Sequence, residues 1–184
     1  MAAPGTEHIS VCICTFKRPD LLRRLLVSLP SQRTEGLFTF AAVVVDNDAS
    51  GSASEAVRDV RTGYSLGIEY AIEPERSISL ARNRSVENAR GEWIAFIDDD
   101  EFPADDWLVR HYLTLRTSDA SGSLGPVRAH FAGPSPAWLV RSGLLERKEF
   151  PTGKALTDAR FTRTGNVLIR KPASKGMENR AGVV

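Results

Sequence analysis

Along the first two thirds of the chain, apolar β-branched runs alternate with helically spaced apolar positions. This is the pattern of a parallel sheet whose strands are joined by crossover helices. The run Ile9 to Thr15 predicts a first strand. Leu21, Leu22, Leu25, Leu26 and Leu29 then recur along one side of a helix that opens near Pro19-Asp20 and is closed by Pro30. Proline suits a first helical turn, where its missing N–H would have no partner. Ala41 to Val45 is continuously apolar, as a strand covered on both faces should be, and it runs into the polar loop Asp46 to Gly51, with a helix expected from near Ser52. A third strand fits Gly67 to Ile72. The helix after it is capped by Ser77 and runs to about Ala89, with Ala81, Ser85 and Ala89 as a stripe of small residues for close packing, and Gly91 ends it. Glu92 to Ile97 predicts a fourth strand, and Pro103 and Asp105 start a helix to about Leu115. From about Thr117 the pattern degrades. Short strands are expected at Ser123 to His130 and Phe161 to Ile169 around an irregular stretch, and Ala173 to Val184 shows neither period.

Composition narrows the function classes. A chain of 184 residues buries one good core, so a single domain is expected. With 24 Lys+Arg against 23 Asp+Glu the formal charge is +1, which provides no field to gather nucleic acid. Cys12 and Cys14 sit two apart in an apolar strand and read as small hydrophobes in a reducing compartment. A C-x-C pair without further Cys or His nearby lacks the ligand set of a structural zinc site. No apolar run approaches the ~18 residues that span a bilayer, and the start has no signal-peptide pattern. A cytoplasmic protein is expected, with peripheral attachment to the inner face of a membrane left open.

In an open parallel sheet, ligands bind outside the carboxyl ends of the strands, where neighbouring loops converge. Three polar clusters fall there: Thr15 to Arg18, Asp46 to Asp48 and Asp98 to Glu101. Four consecutive acids repel one another unless a cation or a donor-rich ligand accompanies them. Carboxylates without Cys or His suit Mg²⁺ or Mn²⁺, ions commonly held by one or two carboxylates plus substrate phosphates, so a diphosphate is implied. The alternative is that these acids only cap the next helix. Asp46, Asn47 and Asp48 could bond a base or ribose, or form a simple Asx turn. Arg76, Arg82 and Arg84 offer cations for phosphate, and Arg82 is the one retained. His8, His111 and His130 are scattered and read as structural or surface residues. Phosphate-loop, dinucleotide-turn and nucleophile-elbow motifs are absent.

These residues, taken together, resemble family 2 glycosyltransferases of the GT-A fold. The resemblance is carried by Val11-Cys12-Ile13-Cys14-Thr15-Phe16-Lys17-Arg18-Pro19, Val43-Val44-Val45-Asp46-Asn47, Ala81-Arg82-Asn83, and Gly91-Glu92-Trp93-Ile94-Ala95-Phe96-Ile97-Asp98-Asp99-Asp100. Gly125-Pro126-Val127 and Thr164-Gly165-Asn166-Val167 add to it, and the wording is nearest to bacterial succinoglycan-type exopolysaccharide glucosyltransferases. The implied fold is α/β, Rossmann-like, with a mostly parallel sheet and helices on both faces. Residues of about 8–117 would bind the nucleotide sugar, about 118–171 would begin the acceptor-binding half, and 172–184 would be an irregular tail. The resemblance implies a nucleoside-diphosphate sugar, UDP-linked by preference, contacted by Thr15, Phe16, Arg18, Asp46, Asn47, Asp48, Arg82, Asp98 and Asp99. It further implies Mg²⁺ or Mn²⁺ on Asp100, and Gly165 and Asn166 on the side of a saccharide or lipid-linked acceptor. The reaction implied is inverting hexosyl transfer, with glucose the preferred sugar. The family's base lies in an acidic pair beyond the Gly-Asn motif, where this chain offers only Glu178. A truncated acceptor half and weak or absent transfer are therefore expected, and a non-catalytic binding module is the alternative. A sugar nucleotidyltransferase would need a Gly-rich triphosphate loop, which Thr15-Phe16-Lys17-Arg18 is not.

Overall fold

Strand β1 spans Glu7–Thr15, β2 Phe38–Asp46, β3 Ile68–Ile72 and β4 Trp93–Phe96 in the computed structural model, which describes residues 6–118, 120–131, 133–156 and 163–171. The connecting helices are α1 (Pro19–Ser28), α2 (Ser54–Gly63) and α3 (Ile78–Asn88), with α4 (Trp107–Arg116) following β4. Two short strands, β5 (Gly122–Leu124) and β6 (Val167–Arg170), and a six-residue helix, α5 (Ala137–Ser142), complete the described chain. The sheet runs β3-β2-β1-β4-β6-β5. β1, β2, β3 and β4 are mutually parallel, while β6 lies antiparallel to both β4 and β5.

Alternation along β1 explains the layers. Ile9, Val11 and Ile13 point to one face, where Leu22, Leu25, Leu26 and Leu29 of α1, Val57 and Val60 of α2, and Leu108 and Tyr112 of α4 join them in the main core. Cys12 points to the other face with Val43, Ile94 and Ala89. There the small-residue stripe lets α3 lie close: Ala81 and Ser85 are fully buried, and the Cys12 thiol donates to the Ser85 carbonyl at 3.5 Å. Side chains thus cover both faces of β1, which accounts for its largely apolar middle, where the one polar side chain, Ser10, donates to the Arg90 carbonyl.

Several boundaries differ from expectation. Pro30 does not end α1 outright, because Leu29–Ser31 continues as a 3-10 turn. β2 begins at Phe38, three residues ahead of Ala41, in full register with β1. The strand expected over Ser123 to His130 pairs only through Leu124, since β6 offers a ladder only from Val167 to Ile169. Of the strand expected over Phe161 to Ile169, Phe161 and Thr162 lie outside the described residues, and pairing starts at Val167. The stretch expected to be irregular contains α5, whose Trp138 and Val140 are exposed. The tail beyond Lys171 lies outside the described residues. Among the described residues no helix is long and apolar enough to cross a membrane.

Candidate functional site

The strand order reverses between β1 and β4: the chain steps from β1 outward to β2 and β3, then returns to the far side of β1 for β4. Loops leaving the carboxyl ends of β1 and β4 therefore diverge and leave a crevice at that edge. Thr15, the last residue of β1, ties this edge together. It lies in register with Asp46, its carbonyl accepts from the Asn47 amide at 2.8 Å, and its hydroxyl donates to Asp99 Oδ2 at 2.7 Å. The three polar clusters identified in the sequence thus meet at one end of the sheet.

Within the cluster the acids have different surroundings. Asp99 is buried and also accepts from Arg18 Nη1 at 3.2 Å; burial raises its pKa above the usual carboxylate value, and the bonds from Thr15 and Arg18 work against that rise. Asp100 stands half-exposed, with its Oδ2 3.3 Å from the same guanidinium. Asp98 is likewise half-exposed, and Arg82 Nη2 lies 3.7 Å from it. Glu101 reaches back to accept from the Asp98 amide at 3.3 Å, and burial, with the neighbouring charges of Asp98 and Asp100, raises its pKa. No group of three or more Cys, His, Asp or Glu side chains converges to hold a metal among the described residues. The oxygen-only set of Asp98 and Asp100 nevertheless fits a hard divalent ion that takes its remaining ligands from phosphate and water.

The β2 loop is organised differently. The Asp46 carboxylate is fully buried and accepts from the amides of Ala53 (2.7 Å) and Asp48 (3.0 Å) and from the Tyr70 hydroxyl (3.0 Å). Asn47 Nδ2 donates to the carbonyls of Glu73 and Glu75, and its Oδ1 accepts from the Ser77 amide, where Ser77 caps α3. Both side chains are engaged by the protein and shape the loop. Asp48 accepts from the Ser50 hydroxyl and amide, the first of which chiefly lowers its pKa, and the Lys17 charge adds to the effect.

Phe16 lies between cations, with Lys17 Nζ 5.3 Å and the Arg76 guanidinium 4.6 Å from its ring centroid. The sequence offers Arg76 only as one of three candidate phosphate cations, of which Arg82 is retained; the fold brings Arg76 onto Phe16. Arg84 is turned away, bound to Glu73 at 2.9 Å.

Gly165 and Asn166 precede β6 and lie beside the acid run. A Cβ on Gly165 would come within 2.9 Å of Asp98 Oδ2 and 3.1 Å of Glu101 Oε1, so a side chain there would require these carboxylates to shift. Asn166 takes a left-handed φ of 52°. Its Oδ1 accepts from Trp107 Nε1 (2.7 Å) and His111 Nε2 (2.9 Å), and its Nδ2 donates to the Pro126 carbonyl (2.7 Å). The Ser123 hydroxyl, 2.6 Å from His111 Nδ1, completes the set, and burial holds the imidazole pKa below its usual value, in keeping with the neutral tautomer this network needs. His111 is structural, as the sequence suggested, and so is Trp107, which the apolar pattern alone did not single out.

Parallel βαβ units, a crevice at the strand-order reversal, and an acid run beside that crevice are the features of a GT-A fold. The chain belongs to glycosyl transferase family 2, which it matches over residues 10–176. It is 38% identical over 169 residues to the succinoglycan biosynthesis protein ExoM of Rhizobium meliloti, covering 92% of this chain and 53% of that protein. It is 32% identical to the glycosyltransferase AglE of Haloferax volcanii, covering 58% of this chain and 35% of AglE. This chain thus spans about half the length of ExoM or less of such relatives. Among solved structures it resembles S. aureus TarS residues 1–349 in complex with UDP, with a TM-score of 0.64 at 19% identity over 89% of this chain and 47% of that one. A mannosyltransferase from Pyrobaculum calidifontis in complex with GDP-Man and Mn²⁺ superimposes with a TM-score of 0.56 at 22% identity, covering 68% and 37%.

Proposed function

We propose that this chain binds the donor in an inverting family 2 glycosyltransferase that moves a hexose, glucose for preference, from a nucleoside-diphosphate sugar to a saccharide or lipid-linked acceptor during polysaccharide synthesis. The observation that carries the reading is the Thr15–Asp99 bond at the end of β1, which leaves Asp98 and Asp100 half-exposed at the mouth of the crevice. Succinoglycan biosynthesis in the name of ExoM, and UDP in the TarS complex, support the pathway class and the choice of uridine.

In this reading residues 8–117 form the donor side and 118–171 begin the acceptor side. Phe16, Arg76 and Asp48 line the base and ribose end, with Asp46 and Asn47 holding that loop in shape. Asp99, fixed by Thr15 and Arg18, contacts ribose or phosphate, and Arg82 offsets diphosphate charge. Asp100, with Asp98, would hold Mg²⁺ or Mn²⁺, whose chemistry is to offset charge on the departing diphosphate. Displacement forms a bond from the acceptor hydroxyl oxygen to the anomeric carbon while the bond to the diphosphate oxygen breaks with its electron pair, and a carboxylate on the opposite face takes the hydroxyl proton. No acid occurs among residues 167–171, and Glu178 lies outside the described residues, so the base is assigned to none of them.

Calorimetric titration of UDP-glucose in the presence of Mn²⁺ tests the donor assignment. Binding heat is expected from the native chain, with a loss of about tenfold or more in affinity for Asp100→Ala, as for removal of a charge-assisted contact. Equal affinity in the variant discards the assignment of Asp100.

A further inference from the structure

The backbone, more than its own contacts, sets where Arg18 stands. It lies between the end of β1 and Pro19, the first residue of α1; its carbonyl accepts from the Leu22 amide at 3.1 Å, and Lys17 before it takes a left-handed φ of 56°. The guanidinium thereby reaches the acid run, where a single nitrogen, Nη1, serves two carboxylates: Asp99 Oδ1 at 3.2 Å and Asp100 Oδ2 at 3.3 Å. A strong arginine–carboxylate pair uses two nitrogens at about 2.7–2.9 Å. Here both contacts are longer and come from one corner of the fork. Arg18 and Asp100 are also half-exposed, so water screens their attraction. Among the described residues Nε and Nη2 of Arg18 engage no carboxylate, and Asp100 has no other ion pair. Asp99 is buried and keeps a second partner, the Thr15 hydroxyl at 2.7 Å. If Arg18 turned away, Asp99 would remain held and Asp100 would be released.

Asp100 is the carboxylate assigned above to the divalent ion, and a guanidinium and a doubly charged ion within about 4 Å of one carboxylate repel each other. We propose that Arg18 is a resident counter-cation of the acid run, held on Asp99 and Asp100 until the diphosphate of the donor draws its guanidinium away, so that nucleotide and divalent ion bind as a coupled pair. The diphosphate offers the planar fork paired oxygens, which the present one-nitrogen contacts do not. Arg18 thus competes with the divalent ion in the free chain and joins it in offsetting phosphate charge once nucleotide is bound. Coupling between two ligands is reciprocal, so Arg18 lowers the affinity of the free chain for the ion and enlarges the factor by which nucleotide improves it. This inference rests on the donor reading above, which puts the diphosphate beside Asp98 and Asp100.

The test titrates the intact chain with Mn²⁺, with and without saturating UDP, and follows the electron paramagnetic resonance of the free ion. Without UDP, Arg18→Gln is expected to bind Mn²⁺ about tenfold more tightly than the native chain, and the improvement that UDP brings is expected to shrink by a similar factor. A gain of affinity is not what damage to the fold produces. Adding Asp100→Ala to Arg18→Gln is expected to abolish the gain. Arg18→Met, which keeps the aliphatic stem, gives the same comparison if the glutamine variant misfolds. Equal or weaker Mn²⁺ binding by Arg18→Gln without nucleotide overturns the proposal, and so does an undiminished improvement by UDP. A gain that survives Asp100→Ala also overturns it, because the ion is then held elsewhere. If UDP binds to neither protein, the donor reading falls and the coupling with it, while tighter Mn²⁺ binding by Arg18→Gln upholds Arg18 as the counter-cation of Asp100. Absence of Mn²⁺ binding from every protein, with UDP or without, overturns both.

Discussion

Glu101 carries a cost that shows how one residue is set by its neighbours. Its carboxyl is partly buried, beside Asp98 and Asp100, so the folded protein holds its proton more tightly than the unfolded chain does. A carboxyl with a raised folded pKa makes the native state bind more protons, and stability then falls as pH rises from the ordinary value of 4.5 through the folded one. Glu101→Gln, which keeps an oxygen for the Asp98 amide, is therefore expected to raise the melting temperature at pH 7. The gain should vanish below pH 4.5, where glutamate is protonated in both states; a shift independent of pH between 4 and 7 contradicts this account. Asp46 makes the opposite point. It was readable as a ligand-facing acid because it follows an apolar strand, yet its oxygens meet two amides and Tyr70. Sequence position located the loop, but which way a side chain turns depends on donors that arrive from Ala53 and Tyr70, distant in sequence and invisible to local pattern.

At the scale of elements, α4, β5 and β6 are joined through Asn166. Its amide serves Trp107 and His111 from α4 and the carbonyl of Pro126 beyond β5, while its left-handed backbone turns the chain into β6. Asn166→Ala would strand two buried donors and keep a strained φ, at a cost of about 2–4 kcal/mol in urea unfolding. Asn166→Gly, free of the φ penalty, should recover part of that loss, and equal stability of all three proteins would remove the node from the account. The parallel elements were legible because each had its own period, and α3 had a cap in Ser77 as well. The later strands were not, because β5 and β6 are three and four residues long and exist only by pairing with each other and with β4. Helix α5 escaped notice for a related reason: at six residues it shows less than two turns of periodicity.

The whole molecule places its crevice where the strand order reverses, so a bound donor would touch loops from β1, β2 and β4 at once. Occupancy should then stabilise the entire parallel half. UDP with Mn²⁺ at one hundred times its dissociation constant contributes about 2.7 kcal/mol. In a domain of this size that corresponds to a rise of roughly 5–10 °C in melting temperature, and the rise should be lost in Asp100→Ala. Unchanged melting at saturating nucleotide and metal would speak against a donor site at this edge. The sequence disclosed this architecture because alternating strand and helix periods, with polar clusters after β1, β2 and β4, admit few topologies. It did not disclose the approach of Gly165 to Asp98 and Glu101, which irregular backbone ahead of β6 brings about.

The two thiols in β1 have a practical consequence. Burial pushes Cys12 up to about 12 and Cys14 to about 11, so at neutral pH almost none of either is thiolate, the form that alkylating reagents attack. The folded protein should thus stay unlabelled by maleimide until denaturant opens the sheet, with mass spectrometry reading zero adducts before and two after. A single cysteine placed at exposed Trp138 would then accept one fluorophore, reporting on α5 with no need to strip the native sulfur atoms from the core.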